Sequence, residues 1–171
     1  MNKDQNTIYA INHYNFFDKI VFKKRLEISN IINNLIKDLQ IHDALDIGTT
    51  SDDKNASSNI VIKNIKNIDE FKCISDQIVN SDFFNKKLKK SITEEFSENE
   101  LYDFSSDLVV SNATIEHVGN TLNQKKMLEN VIKLTKKIFV ITTPNKFYPI
   151  ELHTKIPLIH WLPKSIYRKI L

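Results

Sequence analysis

Residues 42–53, HDALDIGTTSDD, run apolar, close on Asp46 and Gly48, and then break into small polar residues. The apolar part, ALDIG, is too short for a helix and reads as a buried strand that stops at Gly48. Gly48 is one of only two glycines in the chain, so its place at a strand end needs a reason. A glycine there lets backbone pass close to a ligand, and the carboxylate of Asp46 nearby can accept hydrogen bonds from an ammonium or hydroxyl group.

Working outward, RLEISNIINNLIKDL (25–39) repeats Ile28, Ile31, Ile32, Leu35, Ile36 and Leu39 at the three-and-four spacing that predicts one apolar helix face. Downstream, FKCIS (71–75) and KKSIT (89–93) are the strand candidates of a region with no clean period. SDLVVSNA (106–113) is a β-branched run that predicts a strand. QKKMLENVIKLTKK (124–137) has helical spacing through Met127, Leu128, Val131, Ile132 and Leu134, and IFVITTPN (138–145) is a further strand stopped by Pro144. TEEFSENELYD (93–103) reads as an exposed acidic connection.

Nearly continuous apolar strands separated by single helices predict a parallel sheet covered on both faces, a doubly wound α/β fold. The whole chain, 1–171, reads as one domain: an N-terminal helical segment (1–41), a core (42–145), and a C-terminal part (146–171). That last part leads into a short amphipathic helix carrying Trp161, Leu162, Ile166, Tyr167 and Ile170 beside Lys164, Arg168 and Lys169.

Composition narrows the function classes. With 24 basic against 21 acidic residues the formal net charge is +3, and the lysines are dispersed, so there is no nucleic-acid footprint. One cysteine, Cys73, permits neither an internal disulfide nor a cysteine zinc cluster and suits a reducing compartment. No apolar run reaches the roughly 18 residues of a membrane span, and no signal-peptide core opens the chain. A cytoplasmic protein without an integral membrane segment is expected.

In open parallel sheets the ligand sits beyond the carboxyl ends of the strands. Neither the closing Gly-Lys-Ser/Thr of a P-loop nor the three spaced glycines of a dinucleotide fingerprint follows Gly48. An acid-x-glycine turn without a phosphate cradle suits a cofactor with a cationic amino-acid end.

Three segments resemble the class I, Rossmann-like S-adenosylmethionine-dependent methyltransferases of small molecules. LDIGTTSD matches their acid-x-Gly-x-Gly turn through Asp46 and Gly48, with Thr50 in place of the second glycine. FSSDLVVSNATIEHVGN is similar to their fourth-strand motif, and KIFVITTPNKFYPIELHTKIPLIHWLP to the fifth strand and following loop of one branch. The resemblance implies S-adenosylmethionine as cofactor, with Asp46, Gly48 and Thr49 at its methionine end and Asn112 and Ala113 close by. It implies a ribose-binding acid after the second strand, Asp76 with Asp82 as the alternative, and an adenine-reading residue after the third, Glu94 or Glu95. It also implies a sheet with further strands after the fifth. This chain reaches Leu171 soon after that strand, so the sheet is expected to lack its last strands, either as a naturally short member or as a truncated one whose exposed edge needs a partner or a second copy.

Methyl transfer needs an acceptor aligned with an already activated methyl group and, for a hydroxyl acceptor, a base. His117, after the fourth strand, suits the base, with Glu116 orienting it or touching substrate. Glu151 and His153, after the fifth strand, are expected on the substrate side of the same cleft. Carboxylate and imidazole are metal-ligand types, yet no recognised spacing fixes three ligands, and no metal is assigned. The expectation is methyl transfer to a small-molecule acceptor, oxygen slightly favoured. The alternative is a catalytically degenerate or truncated domain that binds cofactor as a partner subunit.

Overall fold

The computed structural model of the chain describes residues 16–51 and 58–144. The expected C-terminal helix, Glu151 and His153 lie outside the described residues. Within them the elements run α1 (Phe16–Leu35), β1 (Asp43–Ile47), α2 (Ile60–Lys63), β2 (Glu70–Ser75), β3 (Lys86–Lys89), α3 (Glu98–Phe104), β4 (Ser106–Asn112), α4 (Thr121–Leu134) and β5 (Thr135–Thr142). The five strands form one sheet in the order β3-β2-β1-β4-β5, every pair parallel. The doubly wound α/β architecture expected from the sequence is the one observed.

β1 is central and buried at all five positions, which is why its sequence lacks polar alternation. Strand alternation sends Ala44, Cys73, Leu108 and Val110 to one face, where Ile32 and Ile36 and, from α2, Val61 and Ile62 cover them. Leu45, Ile47, Ile74 and Val109 point to the other, under Phe104 of α3 and Met127, Val131 and Leu134 of α4. Ser29, fully enclosed, joins α1 to α2: its hydroxyl lies 3.0 and 3.1 Å from the carbonyl oxygens of Arg25 and Val61 and shares its proton between them.

Four local expectations are corrected. The apolar helix starts earlier, at Phe16, and its buried stripe is narrower: Ile28 and Ile32 pack while Ile31 is 58% exposed and Leu35 54%. The same holds for α4, where Leu128 and Ile132 face solvent. Isoleucine-rich composition had widened both stripes beyond what the sheet covers. β3 is KKLK at Lys86–Lys89, ahead of the expected 89–93, and no helix separates it from β2; Val79 and Phe84 of the connection fill the core there instead. Finally, the acidic connection contains α3, started by a capping box in which Ser97 accepts from the Glu100 N–H and Glu100 accepts from the Ser97 N–H.

The amino ends of the strands are tied by charge. Asp43 of β1 accepts from Lys72 Nζ of β2 at 2.7 Å and from the Asp107 N–H of β4 at 2.8 Å, and Lys136 Nζ of β5 stands 3.4 Å away. Lys72 is 4% exposed and also donates to the Ser105 carbonyl. Burial pushes the Asp43 carboxyl up, but the hydrogen bonds from Lys72 and Asp107, with the charges of Lys72 and Lys136, outweigh it and hold Asp43 below its ordinary value. Among the described residues no helix is long and apolar enough to cross a membrane.

Removing one partner of a buried pair strands the other charge. Lys72→Ala should therefore lower unfolding free energy by about 3–5 kcal/mol in urea titrations at pH 7. Because the Asp43 value is depressed in the fold, its stabilisation is present above the unfolded carboxylate value of about 3.9 and is lost as pH falls through the folded value. The Lys72→Ala deficit should shrink over that acid range; a deficit that does not change with pH would mean the effect is packing alone.

Candidate functional site

The strand order reverses between β1 and β4, and a cavity of about 560 Å³ opens there at the carboxyl ends of the strands. Much of the wall comes from the turns that follow the strands. Gly48 and Thr50 follow β1, Asp76 and Gln77 follow β2, Lys90 to Thr93 follow β3, and Asn112 to Thr114 with His117 complete the β4 side. Arg25 reaches the wall from α1, and Ser58 to Ile62 close the remaining side.

Gly48 has φ +83°, the left-handed region that disfavours side chains. A Cβ there would stand 2.2 Å from Thr114 Oγ1 and 2.5 Å from Thr114 Cγ2. Thr114 bonds to the Ile47 carbonyl at 3.1 Å, so the turns after β1 and β4 nest into each other at this glycine. Its close approach is thus to protein as well as to the cavity. Thr50 is not among the residues with positive φ, so the backbone makes no demand for a second glycine there. Ala113 does have positive φ, 55°, and its N–H bonds to the Thr142 carbonyl at 2.9 Å. That places a strained residue in the cavity wall.

Asp46 is 6% exposed and is bonded by Thr49 Oγ1 at 2.6 Å. Burial raises its carboxyl to about 6, although the Thr49 hydrogen bond opposes the rise. Thr49 itself lies behind the wall, its carbonyl taking the Ser75 hydroxyl at 2.7 Å, so it positions Asp46 and does not face the cavity. Cys73 pairs with Asp46 across β1 and β2, and burial together with the Asp46 charge pushes its thiol up to about 12.

Of the expected site residues, the cavity brings together Asp46, Gly48, Asp76, Asn112, Ala113 and His117. Asp76 is exposed at the end of β2, in the place the resemblance implies for a ribose-binding acid, whereas Asp82 is away from the wall. Glu94 and Glu95 are likewise outside it. The Glu94 carboxylate accepts the Ser91 N–H at 3.0 Å, and the wall after β3 is formed by Ser91, Ile92 and Thr93. Glu116 and His117 diverge. His117 lines the cavity, while Glu116 turns to the residue just after β5, where Oε2 accepts the Thr143 hydroxyl at 3.2 Å; among the described residues Glu116 Oε1 is buried with no hydrogen-bond partner.

Among the described residues Arg25 and Lys90 are the two cations of the wall, and sequence reasoning missed both, as it missed Asn59, Gln77, Ser91 and Thr114. Lys90 is held by both Glu100 oxygens, at 2.9 and 2.7 Å, and lies over the Phe96 ring; Lys90 and the Ser97 N–H hold the Glu100 carboxyl down at about 2. The Ser97-x-x-Glu100 pattern was the available signal for Lys90, since it predicts where α3 begins. Nothing in the periodicity of α1 singles out Arg25. Compared with known proteins, the sequence matches no family model and no curated protein.

Asp46 titrates upward on folding, so the fold is favoured below the unfolded aspartate value and loses that stability as pH rises through about 6. Above that pH the burial costs about 2–3 kcal/mol. Asp46→Asn, which keeps an acceptor for Thr49, should be more stable than wild type by about that amount at pH 7.5 and should converge with it near pH 4. Equal stabilities at pH 7.5 would show that the carboxylate is compensated by something other than Thr49.

Proposed function

We propose that the cavity binds S-adenosylmethionine and that the chain transfers its methyl group to a small-molecule acceptor. The observation that carries the reading is the switch-point cavity itself, with carboxylates from the ends of two adjacent strands, Asp46 and Asp76, on its wall and no glycine-rich phosphate turn.

The donor set fits such a ligand. Asp76 is an acceptor for vicinal ribose hydroxyls, Asp46 for an ammonium, and Arg25 is a cation for a carboxylate. The turn of Ser91 to Thr93 presents two hydroxyls, bonded to each other at 2.9 Å, on the side where a purine edge would lie; its Ser91 and Thr93 N–H groups are taken by Glu94 and by Ser91 Oγ. The cofactor supplies a methyl group already activated on sulfonium sulfur. What remains for the protein is alignment and, for a hydroxyl acceptor, removal of a proton; His117, exposed on the cavity wall, is suited to take it. A cytoplasmic location belongs to the same reading and accords with a lone, buried cysteine.

A second reading, a domain that binds cofactor without turnover and serves as a partner subunit, has one observation in its favour. Both donors of Thr50, its N–H and its hydroxyl, are engaged by Asn59 and not offered to a ligand.

Calorimetry decides the first step. Wild type should bind S-adenosylmethionine at about micromolar Kd, roughly 8 kcal/mol, and Asp76→Ala should bind at least tenfold more weakly. Absence of binding to folded wild type would overturn the proposal. With a methyl acceptor in hand, His117→Ala should leave cofactor affinity unchanged and lower kcat by about 10²–10⁴-fold; cofactor binding with no turnover across an acceptor panel would favour the second reading.

A further inference from the structure

Asn59 is the residue before α2, with φ 54° and ψ 23°, a left-handed conformation that asparagine tolerates better than most side chains. Its side chain makes no capping bond to that helix. It faces the turn after β1 instead. Oδ1 accepts the Thr50 N–H at 2.9 Å and the Thr50 hydroxyl at 3.0 Å, and Nδ2 donates to the Thr50 carbonyl at 3.1 Å. Both edges of the carboxamide are therefore used on one residue, the pairing that a neighbouring strand would give to a peptide unit.

The two residues before Thr50 have their own anchors on the sheet. The Gly48 N–H bonds to the Ile74 carbonyl at 2.9 Å, and the Thr49 carbonyl takes the Ser75 hydroxyl. Thr50 is exposed, and Asn59 is its partner across the cavity wall to which both belong. Hydrogen bonds at such a position add little to global stability. They fix the position of the wall, and a binding site is sensitive to displacements of about 0.5 Å.

We propose that Asn59 is a positioning residue: it clamps Thr50, sets the shape of the cavity wall beside Gly48, and makes S-adenosylmethionine binding depend on that clamp. This rests on the cofactor reading given above.

Two substitutions separate the clamp from the backbone. Asn59→Gly keeps access to the left-handed conformation and removes all three bonds; Asn59→Asp keeps the two accepted bonds and loses the donated one. In Asn59→Gly, hydrogen exchange at the Thr50 amide should accelerate and the S-adenosylmethionine Kd should rise at least tenfold, with the thermal midpoint held within a few degrees. Asn59→Asp should fall between this variant and wild type in both measurements. Wild-type affinity in Asn59→Gly, or unchanged exchange at Thr50, overturns the inference. Failure of wild type to bind S-adenosylmethionine overturns the cofactor reading instead, and exchange at Thr50 then decides alone whether Asn59 clamps the turn.

Discussion

One carboxylate fixes the register of most of this sheet. Asp43 takes a bond from a β2 lysine and a bond from the β4 backbone, and it stands within ion-pair reach of a β5 lysine. Side chains alternate with period two along a strand, so a slip of one residue would exchange the two faces and put Asp46 where Leu45 belongs. Asp107 repeats the arrangement one strand over, accepting from the His42 N–H at 3.0 Å and from Lys137 at 3.0 Å. The polar clasp is at one end of the strands and the cavity at the other. Order at the first determines which side chains arrive at the second.

The two ends treat their aspartates in opposite ways. Asp43 is buried with cations and is held below its ordinary value; Asp46, three residues further along the strand, is buried with a single hydroxyl and is raised to about 6. An uncompensated carboxylate is a poor structural choice, and Asn in its place would keep the Thr49 bond. In the function proposed above, its position on a cavity wall gives the unfavourable burial a use, since a ligand bearing an ammonium group would supply the missing partner. Ala113, held at positive φ in the same wall, is a second departure from the relaxed conformation at this end of the sheet.

Much of the fold was legible because burial on both faces leaves a simple mark: ALDI, FKCIS and DLVVS are short apolar runs, and each is a strand. What failed did so for physical reasons. Isoleucine is common on this chain's surface, so apolar periodicity overstated the buried face of α1 at Ile31 and Leu35. β3 is an edge strand whose outward positions are lysines, the usual protection against edge pairing, and it carries no apolar run to read. α3 was concealed by its acidity, although its capping box was in plain sequence. The candidate site was legible where it depends on strand ends, at Asp46, Gly48, Asp76, Asn112 and His117. It was not legible where it depends on a distant helix or on side-chain direction, as with Arg25 and with the divergence of Glu116 from His117.

Cys73 has no accessible surface, sits in the middle of the sheet next to the central strand, and keeps its proton at any physiological pH. A thiol in that state is inert toward alkylating and disulfide reagents until β2 separates from its neighbours. The molecule thus carries its own reporter of opening: the rate at which Cys73 becomes labelled measures how often the centre of the sheet comes apart, without any introduced probe.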